Sequence, residues 1–262
     1  MTIKILALIG SHRNKGNTAR IVQMIEARMR GLAARQNTPL EWETLFLGDM
    51  EIRPCRGCRV CFDRGEESCP LKDAIPLIRA KMDAVDGLLL ASPVYVDDVS
   101  GTVKTWIDRL AYLSHRPAMA FKVAYTVATV GGGPTAQTLR TMNGALLTWG
   151  YHLVGKKGLK MGALASTEEM FRYEKEAAHV AKDLFRAIFK HHAMQPSFLS
   201  LVAFKIQQSV WKREPPESND YRYWRDKGWL DRNCTFYVPH RANPLKVAMA
   251  RGVGWIVSQF FL

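Results

Sequence analysis

The sequence predicts a doubly wound α/β fold, in which a five-stranded parallel sheet is covered by helices on both faces. Three observations support this prediction. Short apolar runs recur along the first 160 residues, stretches with helical periodicity separate them, and turn residues follow the runs. Such alternation builds right-handed crossovers and a buried parallel sheet. We place this domain over residues 1–195 and a mostly helical C-terminal extension over 196–262.

Each predicted element has its own signal. Apolar runs indicate strands at 3–9, 42–47, 87–92, 123–130 and 153–164. Apolar residues at helical spacing indicate helices at 18–32, 73–82, 101–113, 135–148 and 168–192. In the extension we expect a helix at 198–210, an aromatic cluster at 221–237 and a final apolar segment at 245–262. The aromatic cluster suits either a lid over a flat ligand, an oligomer contact, or a small core of its own.

The loop after the first strand is built to bind a phosphate group. Residues 10–18 read GSHRNKGNT and lead directly into the first helix, whose unpaired N–H groups point back at the loop. Ser11 and Thr18 supply hydroxyls, Asn17 an amide and Arg13 a positive charge. The spacing is neither G-x-x-x-x-G-K-[ST] nor G-x-G-x-x-G. It therefore favours a mononucleotide over a nucleoside triphosphate or a dinucleotide.

Two more loops follow the third and fourth predicted strands. Their candidate ligand-binding residues are Ser92, Pro93, Val94 and Tyr95, and then Gly131, Gly132 and Gly133. A tyrosine ring can contact a flat ligand, and consecutive glycines let a ligand approach the backbone closely. Because the carboxyl ends of parallel strands share one edge of the sheet, we expect all three loops to contact the same ligand.

Four of the five cysteines lie close together, as Cys55-x2-Cys58-x2-Cys61-x7-Cys69. The first three have the spacing of cluster ligands in bacterial ferredoxins, and arginines around them would offset the charge of thiolates. Four sulfurs also satisfy the tetrahedral preference of zinc. Free thiols or a disulfide are the third interpretation, so the sequence leaves a 4Fe-4S cluster, zinc and no metal open.

Charge and composition narrow the possible partners. The formal charge is +13 and is spread along the chain, which favours anionic cofactors, acidic proteins or a lipid surface over a single nucleic-acid groove. We expect no nucleic-acid binding. The first apolar run is too short for a secretion signal and the clustered cysteines suit a reducing compartment, so we expect a cytoplasmic protein.

The last ten residues, 253–262, are rich in Trp, Phe and Ile. They are too few to span a bilayer, which takes roughly 20 apolar residues. An interfacial membrane helix is one interpretation. We instead expect this segment to pack on its own domain or on a second copy, in a homodimer or homotetramer.

Residues 3 to about 160 resemble the flavodoxin-like NADPH-dependent FMN reductase and iron-sulfur flavoprotein families. The resemblance rests on the motif at 10–18, the cysteines at 55–69, Ser-Pro-Val-Tyr at 92–95 and Ser-Gly-x-x-Lys-x-x-x-Asp-Arg at 100–109. It implies a flavodoxin-like sheet of order 2-1-3-4-5. It also implies FMN, with the phosphate on Ser11, Arg13, Asn17 and Thr18 and the ring system near residues 93–95 and 131–133.

We therefore expect an FMN-dependent oxidoreductase that passes electrons between a reduced donor and an acceptor. With a 4Fe-4S cluster, the donor would be a ferredoxin-like protein, whose acidic surface suits a basic one. Without the cluster, NADPH or NADH would reduce the flavin. The alternative from another class is a flavodoxin-fold binding or scaffold protein at a membrane or partner surface, without redox turnover.

Overall fold

The computed structural model describes residues 2–162, 167–189 and 195–261. Its strands are β1 Ile3–Ile9, β2 Leu40–Phe46, β3 Gly87–Tyr95, β4 Asp98–Val99, β5 Val123–Val130 and β6 His152–Lys160. The five long strands are parallel and lie in the order β2-β1-β3-β5-β6, while the two-residue β4 pairs antiparallel with the end of β3. Counting the long strands alone, the order is 2-1-3-4-5, which confirms the predicted fold class.

The helices confirm the alternating pattern. They are α1 Asn17–Arg35, α2 Val60–Asp63, α3 Ile75–Asp83, α4 Gly101–Arg109, α5 Ala136–Thr148, α6 Thr167–Phe189, α7 Phe198–Trp211, α8 Asn219–Asp226 and α9 Pro244–Ser258. The helix predicted at 101–113 stops at Arg109 and continues as a 3-10 turn over Ala111–Ser114. The ends of the predicted strand at 153–164 and of the predicted helix at 168–192 lie outside the described residues.

The sheet separates two apolar layers because successive side chains of a strand point to opposite faces. In β1, Ile5 and Ala7 pack with α1 and α6, whereas Leu6 and Leu8 pack with α3, α4 and α5. All four of these side chains are at most 1% exposed. This near-continuous apolar character of the central strands is what predicted a sheet buried on both faces.

The aromatic residues of the extension form a separate small core. Phe204, Trp211, Trp224 and Trp229 pack together, and the cluster reaches Ala120 of the α/β part. Trp224 is fully buried, and its indole nitrogen donates to the His115 carbonyl at 2.8 Å. Of the three interpretations of these aromatics, the structure supports the small core that anchors the extension. The lid and the oligomer contact stay predictions. The boundary between residues 195 and 196 remains a prediction.

No helix in the described part of the chain is both long enough and apolar enough to cross a lipid bilayer.

Candidate functional site

The predicted phosphate loop lies at the carboxyl end of β1 and leads into α1. Ser11 and Thr18 are buried, whereas Arg13 and Lys15 are exposed. The N-cap residue of α1 is Gly16, whose lack of a side chain leaves the first N–H groups of the helix without a side-chain cap. An anion at this helix end would receive those N–H groups and the two exposed cations.

Two polar side chains of this loop bond to other strands. The Thr18 hydroxyl lies 2.7 Å from that of Thr129 at the end of β5. The amide nitrogen of Asn17 donates to the carbonyl of Met161, just after β6. In this structure, both side chains therefore tie α1 to neighbouring strands. Ser11 accepts a hydrogen bond from the Arg13 N–H at 3.0 Å, which shapes the turn itself.

The Ser92 to Tyr95 segment is the last part of β3 and forms a tight hairpin with β4. The predicted strand ended at 92; it runs to Tyr95 because Val94 and Tyr95 pair with Val99 and Asp98. The two turn residues, Val96 and Asp97, have φ of 48° and 63°. Positive φ is costly for a β-branched residue, so this exposed turn is strained beside the candidate site.

The base of this hairpin is held by serines. Ser92 is fully buried, and its Oγ accepts the Ser100 N–H at 3.1 Å. Ser100 in turn caps α4 by accepting the Val103 N–H. A serine directly at the N-cap position thus satisfies one of the unpaired N–H groups at the start of α4.

The glycine loop follows β5, next to the other two. A Cβ at Gly131 or Gly132 would meet no atom within 4 Å, so open space lies above this backbone. Gly162 is different, because a Cβ there would lie 2.6 Å from the Gly131 carbonyl oxygen. β1, β3 and β5 are direct neighbours in the sheet, with Ile9 opposite Ala91 and Pro93 opposite Thr129. All three predicted loops therefore share one edge of the sheet.

The four clustered cysteines line one cavity of about 620 Å³. Cys55 and Cys58 are exposed, and Cys61 and Cys69 are half-buried. Burial raises the pKa of the Cys61 thiol, and the neighbouring Cys55 and Cys69 raise it further. Among the residues described, no three His, Cys, Asp or Glu side chains are close enough to hold a single metal ion.

Arg109, at the end of α4, connects the cysteine loop to this helix. Its guanidinium pairs with the fully buried carboxylate of Asp73, donates to the Arg53 carbonyl at 2.9 Å and lies 3.7 Å from Cys69 Sγ. Burial by itself would raise the pKa of Asp73. Hydrogen bonds from Arg109 and from the backbone N–H groups of Arg53 and Ile75 outweigh it, and the pKa is lowered. Asp73 is thus a carboxylate that accepts hydrogen bonds from Arg109 and from two backbone N–H groups.

A second arginine joins this loop to the extension. Arg116 donates to the Cys61 carbonyl at 2.5 Å and to Asp220 of α8 at 2.6 Å. His115 bonds the other oxygen of Asp220 at 2.8 Å, and its ring lies between those of Phe62 and Trp211, with centroids 4.6 Å away on each side. The extension therefore forms one wall of the cysteine loop.

Sequence reasoning missed the residues that support the site. Thr129 contacts Thr18 across 111 positions of sequence, and Arg116 contacts Cys61 across 55. Asp73 and Asp220 bond Arg109 and Arg116 in turn, across 36 and 104 positions. Arg109 was part of a quoted motif, but without a role. A lone arginine or threonine carries no local pattern, so no signal in the sequence could have found these partners.

The comparison with family models decides what the chain is. Residues 3–164, more than half of the chain, match the model of the NADPH-dependent FMN reductases. The chain belongs to this family. Its membership confirms the resemblance seen in the sequence and makes the protein an FMN-dependent oxidoreductase. The uncapped α1 terminus, the exposed cations and the open glycine loop fit the phosphate and the flat ring of FMN.

Curated relatives of this FMN reductase family member carry a more specific name. The chain is 28% identical over 233 residues to an iron-sulfur flavoprotein from Archaeoglobus fulgidus, covering 87% of this chain and all of the relative. It is 26% identical over 156 residues to an iron-sulfur flavoprotein from Methanosarcina thermophila, covering 58% and 78%. These relatives are named for a cluster.

Solved structures agree on the fold. A RosB structure superposes with a TM-score of 0.58 at 14% identity, covering 82% of this chain and 88% of RosB. An NAD(P)H:quinone oxidoreductase from Methanothermobacter marburgensis gives a TM-score of 0.56 at 14% identity, covering 70% of this chain and 100% of that one. At these identities the likeness supports the flavodoxin-like fold alone.

Proposed function

We propose that this FMN reductase family member is an iron-sulfur flavoprotein, which passes electrons between a 4Fe-4S cluster on Cys55, Cys58, Cys61 and Cys69 and FMN at the sheet edge. One observation carries the proposal. All four cysteines line a single cavity, and helix α4, which starts at the base of the β3–β4 hairpin, ends at Arg109, which contacts Cys69. Helix α4 thus connects the candidate FMN loops to the cysteine loop.

The arrangement of the thiols favours a cluster over zinc. A structural zinc site needs four sulfurs within about 2.3 Å of one ion, so they must converge on a point. Each cysteine of a 4Fe-4S cluster binds a different iron, so the sulfurs need only surround the cluster. Cys61 has Cys55 and Cys69 as near neighbours, yet the described side chains form no single-ion site. Both facts fit the cluster.

The chain's own residues would bind and orient the FMN and the cluster. FMN and the cluster supply the one-electron and hydride chemistry when bound, and no side chain need act as a nucleophile. Arg109 and Arg116 are 7% and 5% exposed, and each pairs with a carboxylate, so they hold the cysteine loop in position rather than add unpaired positive charge. In the glycine loop, free backbone N–H groups can bond the polar edge of the ring.

Oxygen-free purification tests the proposal directly. We expect a brown protein with about four iron and four acid-labile sulfide per FMN. Cys58→Ser should lose most of the iron and keep the FMN, because it removes one of the four proposed cluster ligands and Cys58 is an exposed residue outside the three candidate FMN loops. Cys234→Ser is the matched control, since this thiol lies in the extension, and it should keep both. A yellow protein with FMN and no iron, or one with a single zinc, would refute the cluster.

The electron donor is a separate part of the proposal. We infer an acidic ferredoxin-like donor, because the chain carries a formal charge of +13. The second candidate donor is NADPH or NADH, which the name of the matched family favours. Stopped-flow reduction of the flavin by each donor separates the two. If only a pyridine nucleotide reduces the flavin, the ferredoxin proposal is wrong while the cluster stands on its iron content.

The protein's surroundings complete the proposal. We propose a homodimer or homotetramer acting in the cytoplasm on small-molecule acceptors or a ferredoxin-like partner, with no role in nucleic-acid binding. The scaffold alternative would require that no donor reduces the bound flavin, so the same stopped-flow measurement decides against it or for it.

A further inference from the structure

The helix α9 is built with small residues inside and large apolar residues outside. Its buried positions are Ala250, Gly254 and Ser258, which face α7. A Cβ at Gly254 would lie 2.7 Å from Lys205 Cβ and 2.9 Å from the Val202 carbonyl oxygen, so α7 and α9 pack very closely. A helix that buries its apolar face in its own domain has the opposite arrangement.

The outer face of α9, continued into the short turn after it, is uncharged over about 160° of the helix at 100° per residue. We call it the α9 face. Its residues are Leu245, Ala248, Met249, Gly252, Val253, Trp255, Ile256, Gln259 and Phe260. Leu245 is 69% exposed, Trp255 55% and Phe260 85%. The segment therefore packs on its own chain only through its small residues, and the other part of our expectation, a contact with a second copy, stays a prediction.

We propose that the α9 face is an interfacial membrane anchor, which lies flat on a bilayer that contains anionic lipids. Helices in lipid pair through small residues and turn their large apolar side chains outward, as α9 does with Ala250, Gly254 and Ser258 against α7. The exposed large side chains are those that enter the boundary between headgroups and acyl chains, with a Trp and a Phe among them.

Charge complementarity selects an anionic bilayer over a second copy of the chain. The extension holds ten Lys and Arg against five Asp and Glu, and no acidic residue occurs between residues 244 and 261. Lys246 and Arg251 border the α9 face on its two sides, and the exposed Arg213 lies 3.4 Å from Gln259 on the face. A symmetric contact between two copies would bring these cations together, whereas anionic headgroups would neutralise them.

Other charges around the face point the same way. Burial lowers the pKa of Lys205, and the nearby cations Arg251 and Lys212 lower it further. Three of the five acids, Glu214, Glu217 and Asp220, instead line the pocket beside the cysteine loop, with Phe62 and His115. Within the described residues, the cations Lys205, Lys246 and Arg251 form no ion pair with an acidic side chain.

Flotation of the full-length holoprotein with vesicles tests the proposal. We expect binding to vesicles of phosphatidylcholine and phosphatidylglycerol, little binding to phosphatidylcholine alone, and release at high salt. The double variant Met249→Glu and Ile256→Glu should bind at least tenfold more weakly, because each change removes a large apolar side chain from the lipid contact. Leu147→Glu is the control: it is an exposed apolar residue of α5, and binding should not change.

Trp255 provides a second readout that does not depend on charge. It is the most exposed of the seven tryptophans, so brominated lipid should quench its fluorescence, and Trp255→Phe should lose that quenching. Absence of binding to the anionic vesicles would overturn the proposal. So would a dimer in solution that the double variant dissociates, since the α9 face would then bind a second copy. Neither result bears on the flavin or the cluster.

Discussion

Gly10 lets the candidate FMN loops lie close together because it has no side chain. A Cβ at this residue would overlap Cγ2 of Val103 on α4 and lie 2.9 Å from Ser100 Oγ. The Gly10 N–H also donates to the Ala91 carbonyl at 2.8 Å. The end of β1, the base of the hairpin and the start of α4 therefore meet at this glycine, and any side chain would separate them.

Gly10→Ala should destabilise the protein by about 1–3 kcal/mol, the usual cost of overpacking, and should lower FMN occupancy. Gly31→Ala is the matched control, because Gly31 lies inside α1 with no atom within 4 Å of a Cβ. That change should stabilise by up to about 1 kcal/mol and keep the flavin. Urea unfolding and flavin absorbance measure both effects; equal effects at the two glycines would contradict this account.

Arg109 and Asp73 form a buried ion pair beside the cysteine loop. Arg109→Gln should cost about 3–5 kcal/mol, because it leaves the buried Asp73 carboxylate without its charged partner. Unfolding free energies at neutral pH measure this. Arg53→Gln is the control: its side chain pairs with Glu51 on the surface, where removal should cost well under 1 kcal/mol.

The same pair predicts a pH dependence. The folded-state pKa of Asp73 lies below its unfolded value of about 3.9, so its contribution is complete above that pH and is lost as pH falls through the lowered value. The stability difference between the wild type and Asp73→Asn should thus be constant near neutral pH and shrink below about pH 4. Unfolding curves across this range check it; a difference that shrinks only above pH 6 would argue against Asp73.

At the scale of elements, α8 holds the cysteine loop from outside. Asp220→Ala should remove a carboxylate partner from both Arg116 and His115, leaving Arg116 its bond to Glu66, and should cost about 1–3 kcal/mol. It should also speed alkylation of the half-buried Cys61 in metal-free protein, because Arg116 holds the Cys61 carbonyl. Asp226→Ala is the control in the same helix, since Asp226 forms an exposed ion pair with its neighbour Arg225. Equal alkylation rates in the two variants would show that α8 does not restrain the loop.

For the whole molecule, the positive charge should govern the encounter with an acidic donor. Flavin reduction by a ferredoxin should slow steeply as ionic strength rises, because salt screens the attraction between the +13 chain and an acidic partner. Reduction by an uncharged chemical reductant should change little. Stopped-flow rates over a range of salt measure the difference, and identical salt dependence for the two reductants would exclude electrostatic steering.

Much of this molecule was determined by local sequence pattern. The apolar runs of β1 and β5 predicted those strands to the residue, since strands buried on both faces have a strong signature. The three candidate ligand loops were predicted to share one edge of the sheet because each directly follows a strand, and parallel strands bring their carboxyl ends together. The cysteine spacing marked the cavity for the same reason, because its residues are close in sequence.

Only the tertiary structure decided which distant residues support these loops and which face of the extension is left open. Arg109 meets Asp73 and Arg116 meets Asp220 across 36 and 104 residues, and neither pair has a pattern in the chain. The apolar composition of the segment at 245–262 was visible, but its covered side was not, because composition does not show which side chains of a helix meet a neighbour. The close packing of α7 against Gly254 settled that, and left the large side chains outside.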